Sequence, residues 1–322
     1  MSNVSRKNDV FVKSTRTAAI IVTFNPDITI LDELIRAASE QCPVWLVDNG
    51  SESVCLEEIE RSARRCEVYL LRLDKNFGIA AAQNRGICAA QESMPVLEFI
   101  LTLDHDSSVP GGMVSSLENA FDGAARRAKV AAVGPILYDS RANVAVPFHT
   151  RRGVFVHKRL HGGDGEVPFE VDGLNSSGSL LSVEALHSVG LFDEELFIDH
   201  VETEWCFRAK AAGYRLYGCP RVRMVHRMGI DARKYWLFGW HVWPIRPPNR
   251  HYYIFRNSML LQRRAYIPFA WKLLNIGKLL LTFLVFGVGG SDSGAQRLQM
   301  SRGLRDGLRG PKGRSVLSVS AR

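Results

Sequence analysis

The sequence predicts an α/β protein whose mostly parallel, Rossmann-like sheet is flanked by helices, and two observations carry that prediction. The first is a series of four apolar runs, which is typical of parallel strands buried on both faces. The second is a helical pattern in each gap between consecutive runs, which gives the alternation β-α-β-α-β-α-β. The strands are predicted at residues 18–24, 44–47, 68–73 and 101–106, and the helices at residues 28–40, 54–65 and 79–92.

Each of these strands ends in polar or small residues that break the apolar run. Asn-Pro-Asp follows the first, Asp-Asn-Gly-Ser the second and Asp-Lys-Asn-Phe-Gly the third. Right-handed crossovers bring the carboxyl ends of such strands to one edge, so we expect Thr23, Asp48, Asn76 and Asp104 to line a single crevice. A dinucleotide-binding dehydrogenase is excluded, because the first turn lacks the Gly-x-Gly-x-x-Gly pattern.

The fourth strand ends in two carboxylates that are one residue apart, Asp104 and Asp106. Hard divalent cations prefer oxygen ligands, and Mg²⁺ is typically held by one or two carboxylates together with substrate phosphates. The same pattern is also typical of an ordinary turn that caps the next helix. The pair alone therefore leaves both a metal–diphosphate site and a structural turn open.

Several motifs resemble those of a known family in order and spacing. They are Thr23-Phe24-Asn25-Pro26, Asp48-Asn49-Gly50-Ser51, Asn76-Phe77-Gly78-Ile79-Ala80-Ala81-Ala82-Gln83-Asn84 and Asp104-His105-Asp106. The chain resembles the family 2 glycosyltransferases of the GT-A fold and, more narrowly, bacterial dTDP-rhamnosyltransferases of cell-envelope polysaccharide synthesis. Residues 175–180, 190–199 and 250–257 match that subgroup, so the resemblance covers about residues 18–314.

The resemblance implies a role for each motif residue at the crevice. The implied nucleotide-sugar-binding residues are Thr23, Asn25, Asp48, Asn76, Gly78 and Asp104. Asp104 and Asp106 would also hold Mg²⁺ or Mn²⁺ on the donor diphosphate. His226, which follows a predicted strand at residues 214–218, matches a third metal ligand of many such enzymes. A lone histidine is as often structural, and the neighbouring Arg221, Arg223 and Arg227 favour a diphosphate pocket.

The resemblance also implies a catalytic base at the start of a helix predicted to run from near residue 197 to residue 212. Family members carry Glu-Asp there, and this chain has Val201-Glu202, so Glu202 is the first candidate and Asp199 the second. An inverting transfer needs one carboxylate to take the proton of the attacking hydroxyl. Acids that merely favour the positive end of the helix dipole are the alternative. Glu204 and Arg208 are spaced to pair along the helix surface.

The C-terminal third is strongly basic, with fourteen Lys or Arg against one acid between residues 208 and 272. Such a block favours phosphate, on nucleic acid or on an anionic membrane surface. Nucleic acid is disfavoured, because the chain carries no motif that binds it. Residues 273–288 are the most apolar segment, but their uninterrupted core, residues 279–288, is half the length that a bilayer requires. We therefore expect a helix in the membrane interface, with a helix packed on the catalytic domain as the alternative.

These observations predict a GT-A catalytic domain at residues 18–229, with a nucleotide-sugar part (18–107) and an acceptor part (108–229). A helical, membrane-associating extension follows at residues 230–290. The first seventeen residues are polar and predicted to be disordered, and the basic tail from residue 291 is predicted to be loosely ordered. Six cysteines without a metal-binding or paired spacing are typical of a reducing cytoplasm.

The predicted function is the inverting transfer of L-rhamnose from dTDP-rhamnose to a lipid-linked saccharide at the inner face of the plasma membrane. A UDP-sugar-dependent transferase and a non-catalytic membrane adaptor with the same fold are the alternatives. The acceptor, the linkage and the formation of a homo-oligomer stay open at the level of sequence.

Overall fold

The computed structural model describes residues 13–139, 144–152, 155–160, 167–226, 232–236, 240–288 and 292–310. The strands are β1 (Thr17–Thr23), β2 (Val44–Asp48), β3 (Tyr69–Arg72), β4 (Phe99–Asp104), β5 (Ser107–Ser108), β6 (Val130–Asp139), β7 (Val144–Val146), β8 (Phe148–Arg152), β9 (Phe155–Arg159), β10 (Phe169–Val171), β11 (Leu180–Ser182), β12 (Arg215–His226), β13 (Ala232–Trp236) and β14 (Trp240–Pro244). The α-helices are α1 (Ile28–Ser39), α2 (Ser53–Arg65), α3 (Ile79–Ser93), α4 (Met113–Ala125), α5 (Val183–Val189), α6 (Val201–Ala211), α7 (Pro248–Gln262), α8 (Phe269–Gly287) and α9 (Ser293–Arg309).

A large sheet in the order β10-β12-β6-β11-β4-β1-β2-β3 forms the centre of the molecule. The strands β3, β2, β1 and β4 are parallel, as predicted, and β11 enters antiparallel between β4 and β6. Strand β1 is fully buried because helices cover both faces of the sheet. Helix α1 shows the packing pattern, since Leu31, Leu34, Ile35 and Ala38 follow the helical repeat and face the core.

Two strands differ from the prediction in ways that matter at the carboxyl edge. Strand β4 ends at Asp104, so Asp106 lies in the turn beyond the strand. Strand β12 runs to His226 instead of ending at Gly218. Its pairing with β6 is interrupted between Cys219 and Arg223 and then resumes, as expected where a proline removes one donor from the ladder.

The chain is ordered closer to its start than predicted. The Ser14 hydroxyl donates to Glu118, and the Arg16 guanidinium pairs with Glu98 at 2.8 Å and with Asp122 at 3.1 Å. These contacts lead directly into β1. The predicted disorder of residues 1–12 lies outside the described residues.

The C-terminal segment is not entirely helical, because β13 and β14 form an antiparallel hairpin before α7. Helices α7, α8 and α9 share an apolar cluster that includes Phe255, Met259, Leu279 and Met300. The prediction of a loosely ordered tail is wrong for α9, which packs on α7 as a regular helix. Gly307 explains the close approach, since a Cβ there would lie 2.5 Å from the Arg256 carbonyl oxygen.

Ion pairs neutralise much of the basic block. At least seven of its fourteen cations pair with acids in the described part of the chain, and four of those pairs join the C-terminal helix α7 and its flanks to the loop before α6. The seven are Arg208, Lys210, Arg215, Arg246, Arg250, Arg256 and Arg264. The charge that remains to attract an anionic surface is therefore smaller than the sequence predicts.

Helix α8 has two unlike faces. Asn275, Leu279 and Thr282 are buried against the protein, while Leu273, Leu280 and Leu284 form an exposed stripe. Among the described residues, α8 is the single helix that is long and apolar enough to cross a membrane.

Candidate functional site

The predicted crevice forms at the carboxyl ends of β1, β2 and β4. Thr23 lies in register with Asp48, and Val22 lies in register with Asp104. Asp48 is 1% exposed, and its carboxylate accepts hydrogen bonds from the backbone N–H and the hydroxyl of Ser51 at 3.1 and 2.5 Å. The Thr23 Oγ1 is buried and has no hydrogen-bond partner among the described residues, so its capacity is available to a ligand.

Asparagine side chains fix the loops beside this crevice. Asn49 Nδ2 donates to Asn76 Oδ1 at 3.1 Å, and Asn76 Oδ1 accepts from the Gly78 N–H at 2.9 Å. Exposed Asn25 accepts from the Glu52 N–H at 2.9 Å and joins the first loop to the second. Thr23, Asn25, Asp48, Asn76, Gly78 and Asp104 therefore lie along one edge of the sheet, as expected.

Gly78 links this edge to the helix that carries the predicted base. Its φ is +89°, and a Cβ would lie 2.5 Å from the carbonyl oxygen of Phe197. The Ile79 N–H donates to that same carbonyl at 2.7 Å. No residue with a side chain fits there without moving the loop that contains Phe197.

The two predicted metal-binding acids are partly exposed at the end of β4. The Asp104 N–H donates to Ser177 Oγ at 3.1 Å, and Asp106 follows in the turn. The backbone of β12 brings His226 into register with Ser107, the neighbour of Asp106, although the His226 side chain lies outside the described part of the structure. Among the described side chains, no three His, Cys, Asp or Glu residues form a cluster that could hold a metal without a substrate.

The loop before α6 is strained and held in place from α7. Phe197, Asp199 and His200 have φ values of +62°, +64° and +66°, which non-glycine residues rarely adopt. Asn257, 0% exposed, donates through Nδ2 to the carbonyl oxygens of Leu196, Ile198 and Asp199 at 2.7, 2.8 and 3.0 Å. The amide of Asn257 therefore fixes the loop that leads into Glu202.

Glu202 has the properties of a base that is active at neutral pH. Its pKa is raised to about 7, chiefly by burial and to a smaller extent by the carboxylates of Asp199 and Asp104, while a backbone hydrogen bond and Arg250 oppose the increase. The contribution of Asp104 indicates that the base candidate lies close enough to the donor edge to interact with it electrostatically. Catalytic acids and bases commonly combine a shifted pKa with a position in a cleft.

Asp199, the second base candidate, binds two guanidinium groups. Its carboxylate accepts from Arg246 at 3.3 Å and from the Nε of Arg250 at 3.1 Å. The Nη2 of Arg250 also donates to Oδ1 at 3.2 Å, so both carboxylate oxygens are engaged. The geometry of Asp199 therefore suits a role in positioning Arg246 and Arg250.

A cavity of about 460 Å³ opens beside Glu202. The catalytic domain contributes His149, Asp172 and Asn175 to its wall, together with serines near β11 and the start of α6, and α8 contributes one further side. The α8 residues Trp271, Asn275 and Lys278 follow the helical repeat and so share one face. Sequence reasoning missed this wall, although the recurrence of polar residues along an otherwise apolar helix could have revealed it.

Glu204 pairs with Arg208 as predicted, at 2.8 Å, but the pair is not on the surface. The Glu204 carboxylate is 0% exposed and also binds Arg264 at 2.9 Å and the Tyr266 hydroxyl. Arg264 in turn pairs with Asp193. This network is structural, and it attaches the end of α7 to the helix that carries Glu202.

Comparisons with known proteins identify the family. A sequence model described as Glycosyl transferase family 2 matches residues 18–176. The dTDP-rhamnosyl transferase RfbF of Shigella flexneri is 35% identical over 251 residues, which cover 78% of this chain and 81% of that relative.

Solved structures share the architecture at low sequence identity. The S. aureus TarS 1-349 structure in complex with UDP-GlcNAc gives a TM-score of 0.55 at 14% identity, covering 90% of this chain and 81% of that one. The structure of GalNAc-T7 with UDP, GalNAc and Mn²⁺ gives 0.54 at 13% identity and covers 84% of this chain. This chain spans 55% of the GalNAc-T7 chain. The predicted GT-A fold is confirmed.

Proposed function

The chain belongs to glycosyl transferase family 2, and from this premise we propose that it transfers L-rhamnose from dTDP-rhamnose to a lipid-linked saccharide with inversion. The donor follows from the identity with a dTDP-rhamnosyl transferase over most of both chains. The observation that carries the proposal is Glu202, a carboxylate that lines a cavity and has a pKa of about 7, which Asp104 at the donor edge helps to raise.

In the proposed reaction, Glu202 takes the proton of an acceptor hydroxyl that lies in the cavity. The acceptor oxygen attacks the anomeric carbon while the bond to the nucleoside diphosphate breaks on the opposite face, which inverts the configuration. Asp48, Thr23 and the loop at Gly78 hold the nucleotide. Asp199 positions Arg246 and Arg250 near the departing negative charge.

Asp104 and Asp106 would hold a divalent cation together with the donor diphosphate, with His226 as a third protein ligand. The two carboxylates fit Mg²⁺ or Mn²⁺, which prefer oxygen ligands and commonly retain substrate phosphate oxygens. When bound, the cation stabilises the charge that develops on the leaving diphosphate.

The exposed leucine stripe of α8 supports a position on the inner, anionic face of the plasma membrane. Apolar side chains on one face of a helix can enter the interface between headgroups and acyl chains. This location suits an acceptor carried on a lipid. Self-association through the same stripe is the competing arrangement.

A thermal-shift and transfer experiment tests the donor assignment. Full-length protein is titrated with dTDP-rhamnose and with UDP-GlcNAc, each with Mg²⁺ or Mn²⁺, because a ligand at 100 times its dissociation constant stabilises by about 2.7 kcal/mol. We expect dTDP-rhamnose with a divalent cation to give the larger shift and to release dTDP. A larger shift and turnover with UDP-GlcNAc would move the donor to UDP-sugars, and binding without turnover would favour the adaptor.

A further inference from the structure

The cavity beside Glu202 has a feature that the donor reaction does not explain. One of its walls is the buried face of α8, the same helix whose opposite face exposes Leu273, Leu280 and Leu284. The α8 residues at this wall share the cavity with residues of the catalytic domain.

Asn275 at this wall has unused hydrogen-bonding capacity. The residue is 7% exposed, and its Nδ2 donates to Ser258 Oγ at 3.3 Å. Its Oδ1 is buried and has no partner among the described residues. A buried acceptor without a donor is costly, and a hydroxyl group of a bound saccharide would satisfy it.

Lys278 adds positive charge to the same wall. Its side chain retains contact with solvent, and among the described residues no hydrogen bond or ion pair engages its ammonium group. Of the two acids that also line the cavity, Asp172 already pairs with Lys210, and Glu202 belongs to α6. The wall therefore carries a surplus cation, which favours an anionic group on whatever enters the cavity.

Trp271 completes the wall with an aromatic ring. The ring contacts His200 edge-on at 5.7 Å between centroids and Phe207 at 5.6 Å. These contacts fix its orientation, and burial lowers the pKa of His200 to about 4, so His200 is neutral near pH 7. A rigid ring offers an apolar surface to one face of a sugar.

We infer that the inner face of α8 is the acceptor subsite, in which Trp271, Asn275 and Lys278 bind a saccharide that bears a phosphate next to its lipid. Trp271 packs against the sugar ring, Asn275 Oδ1 accepts from a sugar hydroxyl, and Lys278 binds the phosphate. The exposed stripe one helix diameter away lies where the lipid would continue. This inference rests on the proposed glycosyl transfer and specifies its acceptor.

Transfer kinetics with full-length protein test the inference. The acceptor probe is the organic-phase glycolipid fraction of the source cells, and hydrolysis of dTDP-rhamnose by water serves as the acceptor-independent reaction. Lys278→Met and Asn275→Leu should lower kcat/KM for the glycolipid by about tenfold or more, with the dissociation constant and hydrolysis of the donor unchanged. Lys278→Arg should retain most of the activity. Lys272→Met, on the same helix but outside the cavity lining, is the matched control.

The outcomes separate the inference from the proposed function. Unchanged glycolipid kinetics in both Lys278→Met and Asn275→Leu would overturn the subsite. The proposed anionic group on the acceptor would be overturned if Lys278→Met were as active as Lys278→Arg. Transfer to neutral water-soluble saccharides at the glycolipid rate would overturn it too. If rhamnose labelled in the donor appeared in water-soluble phosphosugars and not in the organic phase, the proposal that the acceptor carries a lipid would be overturned. Wild-type protein that neither binds nor hydrolyses a nucleotide-sugar would instead refute the proposed function.

Discussion

Glu202 lines the cavity, and burial raises the pKa of its carboxyl group. A general base works only when deprotonated, so the fraction of competent enzyme should depend on pH around the pKa of about 7. Asp199 and Asp104 contribute to that raised value, and both lie within the proposed site. Changes at Glu202 should therefore be measurable as changes in the transfer rate.

The first prediction concerns pH. Because the carboxylate form of Glu202 is active, kcat/KM should be high above pH 7 and should fall about tenfold for each pH unit below it. Initial rates of dTDP release at saturating metal check this profile. A profile that stays flat down to pH 5 would assign the proton transfer to another group.

The second prediction concerns Glu202→Gln, which keeps the shape of the side chain and removes its basicity. Turnover should fall by about 10²–10⁴-fold while the dissociation constant of the donor changes little. Calorimetry and single-turnover rates measure the two quantities separately. Asp199→Asn is the comparison, and normal turnover in Glu202→Gln with a collapse in Asp199→Asn would transfer the role to Asp199.

The third prediction concerns Asp106→Ala. Asp106 is partly exposed beyond β4, so the fold should persist while the metal-dependent part of donor binding and the transfer are lost. Donor titrations with and without Mn²⁺ measure this effect. The control is Glu92→Ala. Glu92 is an exposed acid near the C-terminal end of α3, the end farther along the chain from Gly78, and this variant should behave as wild type. Unchanged metal dependence in Asp106→Ala would exclude the proposed cation site.

At the scale of elements, the strained loop before α6 depends on a side chain from another helix. Each unusual backbone conformation costs about 1–3 kcal/mol, and the amide of Asn257 offsets part of that cost. The loop also contacts Gly78, so it lies between the nucleotide edge and the base.

The fourth prediction is that Asn257→Asp disturbs the base more than the donor site. Aspartate cannot donate to the three carbonyl oxygens, and each buried carbonyl left unpaired costs about 1–3 kcal/mol. We expect a lower melting temperature and a lower kcat, with donor affinity within a few-fold of wild type. Asn249→Asp, at an exposed position of α7, is the control. Equal losses in donor affinity and kcat would contradict a specific effect on the loop.

The donor edge could be predicted from sequence because parallel strands repeat one geometry, and residues that end such strands meet at one edge. Asp48 and Asp104 follow from that rule alone. The positions of Asn257 and Lys278 depend on how α7 and α8 pack against a loop that lies more than fifty residues earlier. No local pattern encodes such packing, and β12 likewise exceeded its predicted length because pairing with β6 and β5 outweighs the interruption at its proline.

At the scale of the whole molecule, surface charge and apolar surface make separable contributions to membrane binding. Seven cations of the basic block are used internally, so the exposed stripe of α8 should carry a larger share of the affinity than charge alone suggests. Salt screens the electrostatic part but leaves apolar burial in place.

The fifth prediction is that full-length protein sediments with vesicles of equal parts phosphatidylcholine and phosphatidylglycerol. At about 1 M salt, where the Debye length is about 3 Å, part of it should stay bound. Leu280→Gln with Leu284→Gln should remove the salt-resistant part, because these side chains are 63% and 60% exposed. Leu298→Gln, which changes an exposed leucine of α9, is the control. Wild type that remains in the supernatant at low salt would assign the stripe to a contact between copies, which sedimentation velocity would reveal.

The ion pairs between the loop before α6 and the helices after it have a consequence for recombination. Asp193 and Asp199 lie on one side of the border at residue 229, and their partners Arg264, Arg246 and Arg250 lie on the other. A chimera joined at that border would separate each acid from its arginine unless both parents carry the same pair, and the loss of a partner for these largely buried carboxylates, 13–15% exposed, should be destabilising. Exchange between relatives should therefore succeed when the crossover falls after α9, and the border predicted from sequence between catalytic domain and extension is the wrong place for it.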